Sequence, residues 1–121
     1  MQRNMKKICD VLAIKSALLY SLNGLKYLLK ERAFCQELLG GIALVIAELF
    51  RDTPIFMLVY IYFSYFLILF AESINSGIEA AVDRIGLEKH ELSKKAKDIG
   101  SAIVFLAIMH FCIVWIASFF I

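Results

Sequence analysis

Glu72, Asn75, Glu79 and Asp83 recur every three or four residues in the run Ala71-Glu-Ser-Ile-Asn-Ser-Gly-Ile-Glu-Ala-Ala-Val-Asp83. At about 100° per residue they share a wedge of roughly 80° on one helix face. Ile74, Ile78 and Val82 take a separate flank. Three carboxylates and an amide at the end of an apolar run are costly to hold without cations, donors or a divalent metal. Lys94, Lys97, Asp98 and Ser101 form a second stripe within about 100° of arc. Oxygen ligands for Mg²⁺, a cation and a carboxylate able to take a hydroxyl proton are what phosphoryl transfer uses. The same side chains would equally serve as ion pairs stapling helices together, and the residues alone leave both readings open. There is no GxxxxGK[ST] loop, no GxGxxG after a strand and no HRD or DFG set, so any nucleotide would be held by helix faces and loops.

The elements that position these groups follow from hydropathy. The 121 residues are 61% hydrophobic with a mean hydropathy of +0.76, more apolar surface than one soluble core of that length can bury. Spanning helices are predicted at about 33–50, 54–83 and 93–121, their apolar parts running from Ala33 to Phe50, Pro54 to Ala71 and Ile99 to Ile121. The first must hold Gln36 and Glu37 at one interface and Glu48 at the other, snorkelling or buried against neighbours. Residues 4–29 predict an amphipathic surface helix through Ile8, Val11, Leu12, Leu18, Leu19, Leu22 and Leu25, with a break at Gly24. Thr53 is expected to cap the second span with Pro54 in its first turn, and Ser93 to cap the third. The fold class is thus an all-α membrane protein of one domain, 1–121, with three transmembrane helices and an N-terminal surface helix.

Basic residues crowd the first 32 positions (Arg3, Lys6, Lys7, Lys15, Lys26, Lys30, Arg32) and the stretch from Arg84 to Lys97, whereas the link between the first two spans has only Arg51. The positive-inside bias then puts the N-terminus and second loop in the cytoplasm and the C-terminus outside. No cleavable leader is expected. Cys9, Cys35 and Cys112, without CxxC spacing, read as packing residues. His110 is expected in a helix–helix hydrogen bond, and the cluster Tyr60, Tyr62, Phe63, Tyr65 and Phe66 against lipid and neighbouring helices.

The run from Ala71 to Gly86, followed by His90-Glu-Leu-Ser93 and Ala96-Lys-Asp-Ile-Gly-Ser-Ala102, resembles the signature of prokaryotic diacylglycerol kinases. Tyr20-Ser21, Gly24-Leu25 and Glu31-Arg-Ala-Phe-Cys-Gln-Glu37 extend the resemblance over nearly the whole chain. It implies a homotrimer in the bacterial cytoplasmic (inner) membrane, with sites built between subunits, that phosphorylates diacylglycerol with ATP and Mg²⁺ and has no nucleic-acid partner. Position by position, Glu72 resembles the catalytic base, Asn75 a polar residue lining the site, and Glu31 and Glu79 the metal-binding carboxylates. Tyr20, Glu31, Glu79, Glu88, Lys89, His90, Lys97 and Asp98 match ATP contacts. Phe34, Cys35, Gln36, Glu37, Glu72, Ser101 and Trp115 match lipid-substrate contacts, with Cys35 standing where the pattern is commonly basic.

The alternatives are an undecaprenol kinase of the same superfamily and a small oligomeric transporter or channel subunit. Arg84-Ile-Gly86, the His90 run and Gly100-Ser101 favour the diacylglycerol branch. An ion path would need polar residues through the membrane thickness, where Ile55 to Ala71 offers only tyrosines and Ser64.

Overall fold

The computed structural model describes the backbone from Gln2 to Ile121 and side chains from Ala13 onward. Expectations for the side chains of Arg3, Lys6, Lys7, Ile8, Cys9, Asp10, Val11 and Leu12 lie outside the described residues. Four helices follow in order: α1 (Gln2–Leu28), α2 (Arg32–Glu48), α3 (Ile55–Ile85) and α4 (Glu91–Ala117). The described residues form no strand, as the absence of period-2 patterning requires.

α3 and α4 are long and apolar enough to cross a membrane, with mean hydropathies of 2.0 and 2.4 over their best windows. Only 28% and 11% of those windows is buried inside the chain, whereas a soluble protein would cover such helices. The outward side chains include Phe56, Phe63, Phe105, Leu106 and Ile113. The chain is an all-α membrane protein. At 31 residues α3 is about 46 Å long, well beyond a ~30 Å hydrocarbon layer, so its Glu72 to Ile85 portion is free to stand in headgroups and water.

α3 and α4 pack antiparallel along most of their length, and α2 lies more sparsely against α3. The small core holds Leu44, Ile61 and Val114, flanked by Met57, Tyr65, Phe111 and Trp115. Ser64, fully buried, pairs with His110 at 3.3 Å across the α3–α4 seam, and the Tyr60 ring meets His110 edge-on. The helix–helix role expected for His110 is therefore what the structure holds.

Several boundary expectations are corrected. α1 runs unbroken through Gly24 to Leu28, because one glycine costs only about 1 kcal/mol in a helix of that length. α3 begins at Ile55 with Pro54 as the capping position, and the Thr53 hydroxyl donates to Glu48 instead of capping. α4 begins at Glu91 rather than 93: the His90 ring caps it, Nδ1 accepting from Leu92 N–H at 3.2 Å, so Ser93 falls inside the helix. α4 also ends at Ala117 rather than 121, and α2 at Glu48 rather than 50.

Candidate functional site

α3 leaves its apolar stretch at Ala71, and the next residue is the acid Glu72. Both are buried, as is Asn75 one turn on. Asn75 Nδ2 donates to Glu79 Oε1 at 3.2 Å, while Asn75 Oδ1 is buried without a partner. Gly100 of α4 makes that burial possible, since a Cβ there would overlap Asn75 Oδ1. Glu31 and Glu79 both lie within electrostatic reach of Glu72, and Glu72 within reach of Glu37 on α2. Glu37 Oε2 is a second buried oxygen without a partner. Four carboxylates gathered at the entrance to α2, on α2 and on α3, with two acceptor oxygens unfilled, form a pocket suited to a donor or a cation.

One to three turns further along α3 the character changes. Lys97 Nζ donates to Asp83 at 2.7 Å, joining the two stripes across the helix pair. That hydrogen bond holds the Lys97 ammonium above the ordinary lysine range, so it is charged at any neutral pH. Lys94 turns instead to Asp98 on its own helix, at 2.7 Å, and does not face the α3 acids. A cleft of about 720 Å³ opens here, lined among others by Asp83, Glu88, Lys89, His90, Lys97 and Asp98. The hydrophobic span thus ends at a buried carboxylate, and a wider, charged, water-facing cleft begins at Val82, about 15 Å farther along α3.

The structure brings Glu72, Asn75, Glu79, Glu31 and Glu37 into one neighbourhood, and Glu88, Lys89, His90, Lys97 and Asp98 into another just beyond. Phe34 is buried, Gln36 is exposed, and Cys35 is half-buried with Sγ on the Leu29 carbonyl at 3.2 Å. Ser101 is exposed next to Gly100. Tyr20 projects from α1 with 74% of its surface exposed and joins none of the described hydrogen bonds. Trp115 stands apart from the rest: it lies about 27 Å along α4 from Lys97 and donates Nε1–H to Glu48 at 3.0 Å, at the opposite end of the bundle. No three Asp, Glu, His or Cys side chains form a ready-made metal cage among the described residues. Mg²⁺ needs none, since it is usually held by one or two carboxylates with phosphate and water completing the shell.

Sequence reasoning used Gly100 only as a mark of the diacylglycerol branch and missed the approach it allows to Asn75. It also missed Tyr65, whose hydroxyl donates to the Glu37 carbonyl. The signal for Gly100 was a glycine inside an otherwise unbroken helix next to the polar stripe.

The prokaryotic diacylglycerol kinase family model matches residues 19–119. The chain is 42% identical over 97 residues to a protein named diacylglycerol kinase from Escherichia coli (strain K12), covering 79% of this chain and 80% of that one. A protein of the same name from Haemophilus influenzae is 42% identical over 97 residues, 79% of this chain and 82% of its own. One from Helicobacter pylori is 34% identical over 100 residues, 82% and 78% of the two chains. With that model matching most of the chain, and relatives 42% identical over 79% of it, the chain belongs to the prokaryotic diacylglycerol kinase family.

Proposed function

We propose that this protein transfers the γ-phosphate of ATP to the free hydroxyl of diacylglycerol, releasing ADP and phosphatidic acid at the cytoplasmic face of the bacterial inner membrane. The observation that carries the reading is Glu72: a buried carboxylate at the first position past the apolar run of α3, with a charged cleft opening about 15 Å farther along the same helix, from Val82 on. A lipid hydroxyl reaches that depth from the bilayer, and a nucleotide reaches the cleft from water.

The family membership supports the chemistry, and the residues supply its parts. Glu72 accepts the hydroxyl proton as the lipid oxygen bonds to the γ-phosphorus and the bond to the bridging oxygen breaks. Asn75 Oδ1 and Glu37 Oε2, both unpartnered, border the pocket that the lipid's single hydroxyl enters before its proton passes to Glu72. Lys97 faces the phosphates, drawn from Asp83, while Glu88, Lys89, His90 and Asp98 line the nucleotide's approach and Tyr20 reaches it from α1. Glu31 and Glu79, with oxygen donors of the right hardness, would hold Mg²⁺, which offsets phosphate charge when bound. Phe34, Cys35, Gln36 and Ser101 meet the glyceride, and Trp115 would meet only its acyl chains, given its depth.

α2, with 17 residues and about 26 Å, completes a three-span subunit with α1 on the membrane surface, and three subunits associate to cover the exposed apolar faces. The N-terminus and the loop before α4 face the cytoplasm.

Purified protein in lipid vesicles, given γ-labelled ATP and either diacylglycerol or undecaprenol, tests the reading. Label is expected in phosphatidic acid. Label confined to the polyprenol would overturn the acceptor assignment, and ion flux without lipid labelling would overturn the activity.

A further inference from the structure

Glu48 closes α2 at the end of the bundle remote from Glu72, yet its side chain is only 2% exposed. Its Oε1 accepts from Arg51 Nη1 and from Trp115 Nε1, and its Oε2 accepts from Thr53 Oγ1 at 2.7 Å. Arg51 Nη2 in turn donates to the Ser118 carbonyl at 3.2 Å and its hydroxyl at 3.1 Å, and the guanidinium lies 4.0 Å from the centre of the Phe119 ring. One carboxylate and one guanidinium therefore tie the α2 end, the α2–α3 link and the last turn of α4 into a single satisfied network.

A buried ion pair adds little net stability over apolar packing, but it admits one geometry. Here that geometry is the inclination of α2. Among the described residues, the only other side-chain hydrogen bond joining α2 to the bundle is that of Tyr65 to the Glu37 carbonyl. The Tyr65 hydroxyl sits where a Cβ on Gly40 would have to be and its ring edge lies against Gly41, so this close contact is the fixed point from which a tilt of α2 is reckoned. The arm from Gly40 to Glu48 is about 12 Å and the arm to Glu37 about 4.5 Å. A release of about 3 Å at Glu48 would then carry Glu37 about 1 Å away from its place by Glu72. Errors of about 1 Å in a reacting geometry cost up to about a hundredfold in rate.

We infer that the Glu48–Arg51–Trp115 cluster is a positioning device for the reaction, holding α2 from the far side of the membrane so that Glu37 stays beside Glu72. This rests on the reading that the Glu72 site performs the transfer.

Glu48→Gln, Arg51→Met and the double variant, in vesicles, separate positioning from simple stapling. Both single variants are expected to lose stability and about tenfold in kcat per folded molecule, with the KM for ATP within twofold. The double variant, with neither charge left unpaired, is expected to recover melting temperature but not kcat, because the tie to Ser118 is still missing. Full kcat per folded molecule in the singles, or kcat returning together with stability in the double, would overturn the inference. A second readout does not depend on activity: spin labels on Ile46 and Phe56, in a background freed of native cysteines, should report an α2–α3 distance changed by about 2 Å in Glu48→Gln. An unchanged distance also sinks it. Wild-type protein inert toward diacylglycerol would point to the activity reading, not to this one, and the distance would still decide.

Discussion

Glu72 and its neighbours illustrate how much one side chain's surroundings define its use. Glu72 follows directly on the seventeen-residue stretch from Ile55 to Ala71, at the point where α3 turns from apolar to charged and runs on toward the cleft at Val82. Glu72→Gln keeps shape and hydrogen-bonding capacity but cannot take a proton. Turnover is expected to fall by at least about a hundredfold, the usual contribution of a general base, while circular dichroism and thermal unfolding stay near wild type. Gly100→Ala tests the other wall of the site. The new Cβ would displace Asn75 Oδ1, and because that amide is the end of a side chain, the helices need not separate. Activity is expected to drop between about tenfold and a hundredfold with a much smaller change in melting temperature. Equal losses in both would assign Asn75 to packing alone.

At the scale of helices, the α3–α4 pair is a scaffold with a polar contact at each of several levels. Lys97 and Asp83 are both partly exposed, so their pair contributes at most about 1 kcal/mol to stability. Lys97→Met should therefore fold normally yet raise the KM for ATP about tenfold, the loss of one charge-assisted phosphate contact of roughly 1.5 kcal/mol. Deeper in the seam, Ser64 and His110 meet where no water competes. A double-mutant cycle with Ser64→Ala and His110→Leu, read by unfolding in mixed micelles, should give a coupling of about 0.6 to 1.7 kcal/mol. Zero coupling would mean that each finds another partner.

For the molecule as a whole, the proposed transfer needs one nucleotide to serve both the carboxylate pocket and the Lys97 cleft, with a divalent ion offsetting its phosphate charge. Chelation of divalent ions is expected to abolish turnover and Mg²⁺ to restore it. Glu79→Gln should shift the Mg²⁺ concentration for half activity upward, and an unaltered Mg²⁺ dependence would remove Glu79 from the metal role. The helices and both charged stripes were legible in the sequence because apolar run length and helical period are local properties of the chain. Local rules also carried His110 as far as a helix–helix bond. They failed where a helix start had two competing arrangements: Thr53 could cap or reach Glu48, and Ser93 or His90 could begin α4. Only the packed arrangement decides such contests, since each depends on which distant group arrives within 3 Å. For the same reason Gly100 beneath Asn75, Tyr65 on the Glu37 carbonyl, and the reach of Glu48 to Trp115 and of Arg51 to Ser118 belong to the tertiary structure alone: their partners are separated by 25 to 67 positions in the chain and meet only when the helices cross.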